Sequence, residues 1–152
     1  MAMSPTSGQA GFTARTGHEV AGQVVGDRAP AVAQAWESLQ QIRRLMQPEH
    51  PDLPAPWERA RPLQAVGLAL EAAGAAFCAL DGQGAVVEDG LQISVERPGV
   101  LRVVWQHRRG HRPVDAGEAH LGEAARVLGE AGWDALVYRA GRQRFLLVEA
   151  GR

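Results

Sequence analysis

The clearest hydrophobic pattern in the chain runs from Pro30 to Gln47. Large apolar side chains recur there at steps of three and four residues, with polar side chains such as Glu37, Gln41 and Arg44 on the opposite positions. This spacing predicts an amphipathic helix with one apolar seam. The helix seam consists of Val32, Trp36, Leu39, Ile42 and Met46. Proline lacks the N–H that a helix interior needs, so the helix is expected to end at Pro48.

A different pattern, with a period of two, marks a pair of strands and the turn between them. Leu91, Ile93 and Val95 share one face of the first strand, and Arg97-Pro98-Gly99-Val100 is typical of a type II turn. A plain two-residue loop would set these apolar side chains against Arg102 and its same-face neighbours. A bulge at Gly99 instead places Val95 opposite Leu101, which keeps one face apolar. The pattern therefore predicts the bulge, with Ile93 opposite Val103 and Leu91 opposite Trp105.

The remaining elements complete an α+β domain. Helices are predicted over 62–73 and 116–131, each followed by a glycine that can adopt a left-handed cap. Strands are predicted over 75–80 and 85–96, then after the turn, and finally as a hairpin of 133–139 with 143–150. The order α-β-β-β-α-β-β predicts two layers, a mainly antiparallel five-stranded sheet with helices on one face. The amphipathic helix precedes this domain.

Composition divides the chain into four segments. Residues 1–28 are rich in small and polar side chains and predict a flexible N-terminal arm. The amphipathic helix occupies 29–47, and a proline-rich connector occupies 48–61. Five prolines between 48 and 62 favour extended, semi-rigid chain in that connector. The α+β domain takes 62–152.

Charge and cysteine content exclude several classes of protein. The formal net charge is −1, which disfavours a generally basic nucleic-acid binder. Arginine is used throughout in place of lysine, which is typical of a bacterial genome rich in G and C. The single cysteine, Cys78, excludes an internal disulfide and a multi-cysteine metal site. No stretch is long and apolar enough for a signal peptide or a membrane span, so we expect a cytoplasmic protein without membrane contact.

No group of residues predicts catalysis, a metal or a cofactor. Cys78 lies in an apolar strand, where a small buried thiol is ordinary. Asp115 and Glu118 are explained by helix capping. His107 and His111 flank Gly110, which favours a loop over the helix that a His-x3-His metal site requires. The sequence favours a protein that is not an enzyme.

One segment could contact phosphate or nucleic acid. Arginine and histidine crowd the loop that follows the second strand of the bulged pair, and clustered arginines can hold phosphates through forked hydrogen bonds. The candidate residues are Arg102, His107, Arg108, Arg109, His111 and Arg112. The alternative interpretation is a solvated loop in a chain that uses only arginine as its strong base.

The order of elements over 62–150 resembles that of class I type III secretion chaperones, which are dimers that bind extended partner segments. The resemblance is one of topology and implies a non-catalytic adaptor. The order α-β-β-β-α also resembles the double-stranded-RNA-binding domain, but Glu118 and Glu123 stand where such domains place basic residues. The sequence therefore favours a protein-interaction module, with the helix seam contacting a protein partner or a second copy. The alternative for the helix seam is that it packs on the α+β domain as part of the core. Nucleic-acid or phosphate binding by the arginine and histidine loop is the alternative.

Overall fold

The computed structural model describes residues 12–23, 26–108, 110 and 116–151. They form four helices and six strands. The elements are α1 (Ala29–Met46), α2 (Pro56–Ala60), α3 (Pro62–Ala72), β1 (Ala79–Leu80), β2 (Val86–Glu88), β3 (Gly90–Arg97), β4 (Val100–Gln106), α4 (Ala116–Glu130), β5 (Trp133–Ala140) and β6 (Gln143–Ala150). The predicted α+β class with a mainly antiparallel sheet is confirmed.

The main sheet has four antiparallel strands in the order β3-β4-β6-β5. The predicted bulge is confirmed, because Val95 pairs with Leu101, Ile93 with Val103 and Leu91 with Trp105. The register shifts between Val95 and Arg97, and Gly99 has a φ of 81°. That positive φ is accessible to glycine at little cost, so the sequence alone defined this turn.

The strand count differs from the predicted five in one sheet. The segment expected as a single strand over 85–96 divides into β2 and β3, and β2 pairs with β1 in a separate two-stranded ribbon. The division occurs at Gly90, where the chain crosses the backbone of Phe77 and Cys78. A Cβ at Gly90 would lie 2.2 Å from the carbonyl carbon of Phe77. Only a residue without a side chain allows this crossing, and a period-two pattern does not reveal it.

The main core lies between the sheet and helices α3 and α4. Its fully buried members include Leu70, Ile93, Leu128 and Leu146, each 0% exposed. The apolar faces of both helices and one face of every strand in the main sheet contribute to it. Helix α1 packs outside this layer, on α3.

The described part of the expected N-terminal arm lies against the body. Ala14 is buried, and Gly17 fits closely over the backbone of Leu91 and Gln92. The Glu19 carboxylate accepts hydrogen bonds from the backbone N–H groups of Thr16 and Gly17. These contacts were not foreseen, because composition gives no information on distant backbone groups. Residues 1–11, 24 and 25 of the arm lie outside the described residues.

The proline-rich connector is also packed. It includes helix α2, and Pro54 and Ala55 are buried. The Arg59 side chain donates to the carbonyl of Gly151, which ties the connector to the end of β6. The prolines favoured an extended spacer, but the segment packs across one end of the sheet.

Candidate interaction surfaces

The helix seam of α1 divides into a covered and an uncovered part. Val32 is 5% exposed and Leu39 is 2% exposed, and both pack with Ala14 and Leu68 of the same chain. Trp36 is half-buried and contacts this cluster as well as the main core. The first three residues of the seam thus serve the chain's own packing.

A buried ion pair fixes the same part of α1 to the connector. The guanidinium of Arg43 donates two hydrogen bonds to the carboxylate of Glu58, at 2.8 Å from Nε and 2.7 Å from Nη2. The same carboxylate accepts from the N–H of Ala55 at 2.9 Å. A buried charge is tolerated only when it is paired and hydrogen-bonded in this way. The pair therefore orients α1 along a defined direction.

The last turn of α1 leaves its apolar side chains uncovered by the described residues. Ile42 is 37% exposed, Leu45 81% and Met46 68%. Positions i, i+3 and i+4 lie on one helical face, so these three side chains form one continuous patch. We call Ile42, Leu45 and Met46 the α1 patch. Leu45 was not part of the predicted helix seam.

A second apolar surface follows strand β5. Leu136 is 60% exposed, Val137 53% and Tyr138 44%. Leu136 and Tyr138 lie on the sheet face away from the helices, beside Leu147 and Phe145 of β6. Sequence analysis missed this surface. Three consecutive apolar residues are also the pattern of a strand that is buried on both faces, so the sequence does not indicate that these side chains are exposed.

The arginine and histidine loop is described only in part. Arg102 forms an ion pair with Glu96 at 2.8 Å, and its guanidinium carbon lies 3.8 Å from the centre of the Phe145 ring. Arg108 forms an ion pair with Asp89 at 3.3 Å. These carboxylates reduce the positive charge that a phosphate would meet. Arg109, His111 and Arg112 lie outside the described residues, and the prediction of a phosphate or nucleic-acid contact stays a prediction.

His107 lies near two other rings at one end of β4. The Trp105 ring stacks on that of His120 of α4, with ring centres 3.8 Å apart and planes 2° from parallel. His107 meets the edge of Trp105 at 6.5 Å between ring centres. This is an aromatic contact between sheet and helix. Within the part of the chain that the structure describes, no group of three histidine, cysteine or acidic residues has the geometry of a metal site.

Cys78 is buried beneath the N-terminal segment. Its thiol donates a hydrogen bond to the carbonyl of Gly17 at 2.9 Å, and its side chain is fully covered. Burial, reinforced by the nearby Glu19 carboxylate, raises the pKa of the Cys78 thiol to about 11. A neutral thiol is a poor nucleophile, so this geometry is that of a packing residue.

None of the helices among the described residues has the length and apolar character that crossing a membrane requires. Comparisons of the chain with protein-family models, with curated proteins and with solved structures find no match.

Proposed function

We propose that the chain is a non-catalytic protein-interaction module of a bacterial cytosol, and that it holds its partner at the α1 patch. The observation that carries this proposal is the division of the helix seam. The body covers Val32 and Leu39, whereas Leu45 and Met46 stay 81% and 68% exposed on the same helix.

The support for the α1 patch is energetic as well as geometric. Fully burying a leucine or methionine side chain is worth roughly 1.5–3 kcal/mol, so a partner that covers the patch gains several kcal/mol from three residues. The buried Arg43–Glu58 pair holds this turn of the helix in place before a partner arrives. A surface that is ordered in advance loses less entropy on binding.

The partner that fits this patch presents apolar side chains to a single helical turn. Arg44 lies next to the patch on α1, and its guanidinium forms an ion pair with Glu37 at 3.7 Å. Both side chains are largely exposed, so they form a polar border around an apolar centre. That arrangement is common in protein–protein contacts.

The experiment uses a photo-reactive amino acid at position 45 of the full chain, in cells of the source organism. The matched control carries the same group at Gln83, an exposed residue in the turn between β1 and β2. We expect a protein that crosslinks at position 45 and not at position 83. The purified partner should then bind the chain, and the double variant L45S/M46S should raise the Kd at least tenfold, which corresponds to about 1.4 kcal/mol or more.

Two outcomes would contradict the proposal. One is an identical set of crosslinks from both positions, and the other is unchanged binding by the L45S/M46S variant. The free energy of unfolding of the variant should stay within about 0.5 kcal/mol of the wild-type value, because both side chains are exposed. Substituting Trp36 and Leu39 would not serve, since Leu39 is part of the chain's own core.

A further inference from the structure

The outer edge of strand β5 has no neighbouring strand among the described residues, and it is separate from the α1 patch. We propose that β5 pairs antiparallel with β5 of a second copy of this chain, so that two four-stranded sheets become one continuous sheet across a twofold axis. The proposal rests on the backbone of β5, on its exposed apolar side chains and on the charges at its two ends.

The alternation of hydrogen-bonded and non-hydrogen-bonded pairs in the β5–β6 hairpin defines which backbone groups face outward. The N–H of Gly151 donates to the carbonyl of Gly132 at 3.0 Å, which makes 132 and 151 a hydrogen-bonded pair. In an antiparallel ladder such pairs alternate, so 134, 136, 138 and 140 bond to β6. The N–H and C=O groups of Ala135, Val137 and Arg139 therefore point away from β6. Within the described residues, no hydrogen bond uses them.

The opposite edge of the sheet, formed by β3, has hydrogen-bond partners for its outward backbone groups at Leu91 and Ile93. The outward groups of Leu91 and Ile93 in β3 are all hydrogen-bonded, to Ala76, Cys78, Thr16 and the His18 ring. An eight-residue edge with exposed apolar side chains is a ready template for another strand. Native edges that avoid pairing carry proline, bulges or charged side chains. Strand β5 has regular pairing along its full length and no proline, and its charged residues, Asp134 and Arg139, flank an uncharged run over 135–138.

A twofold axis perpendicular to the sheet allows pairings in which each β5 residue meets a residue of the same face. If the axis passes beside Leu136, this side chain meets its own counterpart. If it passes beside Val137, Leu136 meets Tyr138 of the second copy. Both registers cover the exposed apolar side chains, and neither sets two like charges directly opposite each other.

Charge favours a second copy as the occupant. The exposed side chains at the turn end of the hairpin are basic, Arg139 and Arg142, and those at its other end are acidic, Asp134 and Glu149. Arg139 projects from the same face of β5 as Val137, and Asp134 projects from the opposite face with Leu136, so these two charges do not lie directly opposite each other. Antiparallel self-pairing still places the basic end of one copy beside the acidic end of the other. This attraction between oppositely charged ends favours a twofold arrangement.

The experiment measures the solution mass of the full chain by analytical ultracentrifugation over a wide range of concentration. We expect the mass to double as concentration rises. Val137→Pro removes an N–H that points away from β6, so it should keep the monomer folded and abolish the doubling. Val137→Lys is the second variant, since it places a positive charge in each copy near the axis. Val95→Lys is the matched control, because Val95 is 61% exposed in another strand, and it should associate like the wild type.

Charge exchange tests whether the contact is symmetric. Val137→Lys and Val137→Glu should each be monomeric, and an equal mixture of the two should recover the doubled mass. A wild type that is monomeric at every concentration overturns the proposal. So does a dimer that persists in both Val137→Pro and Val137→Lys, or a Lys and Glu mixture that stays monomeric.

The result is independent of the α1 patch. L45S/M46S should dimerise like the wild type, because those side chains are on a different element. If that variant is monomeric while Val137→Lys still associates, the interface between copies lies on α1 and the edge pairing is wrong. Loss of crosslinking at position 45, in contrast, bears only on the proposed function.

Discussion

The two edges of the main sheet have opposite surroundings. The β3 edge is covered along Leu91 and Ile93 by chain segments from two parts of the sequence, residues 16–18 and 76–78, and the outward backbone groups of Leu91 and Ile93 are all hydrogen-bonded. The β5 edge has no strand beside it among the described residues, and Leu136, Val137 and Tyr138 are exposed there. Both strands have eight residues, but β5 is the more apolar, with six apolar side chains against three in β3. The strands also differ in which distant segments fold against them.

This contrast predicts that substitutions at the two edges affect different properties of the protein. Substitutions at the covered part of the β3 edge, at and beside Leu91 and Ile93, should weaken the folded chain, because the outward backbone groups there have partners within the chain. Substitutions at the β5 edge should leave the monomer intact and alter only contacts between molecules. Four predictions test that distinction, in order of decreasing effect.

Gly90→Ala should be the most damaging substitution at the covered edge. The added Cβ would lie 2.2 Å from the Phe77 carbonyl carbon and 2.3 Å from the Cys78 nitrogen, and neither backbone atom can rotate away. We expect a loss of about 3–5 kcal/mol in the free energy of unfolding, measured by denaturant melts. Gly122→Ala is the control, since nothing lies within 4 Å of its added Cβ. In a helix that change should stabilise by about 0.5–1 kcal/mol. Equal effects of the two substitutions would contradict the close crossing.

Ile93→Ala and Leu136→Ala compare the edges directly with side chains of equal size. Ile93 is 0% exposed and Leu136 is 60% exposed. The first should cost about 2–5 kcal/mol as a large-to-small change in the core. The second should cost under about 0.5 kcal/mol when the chain is dilute enough to be monomeric. A loss at Leu136 that matches the loss at Ile93 would place β5 inside a packed core.

Acid should loosen the cover of the β3 edge through Glu19. Burial acts to raise the pKa of the Glu19 carboxyl, but hydrogen bonds from Thr16, Gly17 and Arg15 outweigh it and leave the pKa below its ordinary value of 4.5. The ionised form is therefore the one that stabilises the fold. That contribution is present above pH 4.5 and is lost as the pH falls through the lower folded value.

The check is a pair of pH-dependent melts, of the wild type and of Glu19→Gln. The variant should be less stable at pH 7 by about 1–3 kcal/mol, since it weakens hydrogen bonds to a charged acceptor. Below pH 4 the difference between the two proteins should shrink. A difference that stays constant from pH 7 to the acid range would mean that the carboxylate charge has no part in holding the segment.

Cys78 should give the smallest effect. With a pKa near 11, its thiol is neutral at pH 8, so a thiol-specific reagent should react far more slowly with the folded chain than with the unfolded chain. Cys78→Ala should cost about 1 kcal/mol, because it removes one hydrogen bond and little volume. Rapid labelling of the folded protein would show that residues 12–23 do not cover the β3 edge in solution.

Much of the fold was predictable because its signals are local. The α1 helix, both core helices and the hairpins follow from periodicity and from glycine and proline at turns, and the bulge at Gly99 followed from parity alone. The division at Gly90 was not predictable, since it depends on a contact with Phe77 that lies outside any local window. Packing of the helix seam on the chain's own core was one of two interpretations of its pattern. The pattern could not decide how much of the seam is covered, because Leu39 meets residues as distant as Ala14.

Which face of each element is apolar follows from the sequence, because helix and strand backbones repeat every 3.6 and every two residues. Which of those faces is covered is a property of the tertiary structure. Val32 and Leu45 belong to the same amphipathic helix, yet one is 5% exposed and the other 81%. The physical reason is that burial depends on what other segments reach, and the position of the Arg43–Glu58 pair and of residues 12–23 is set by contacts across the whole chain.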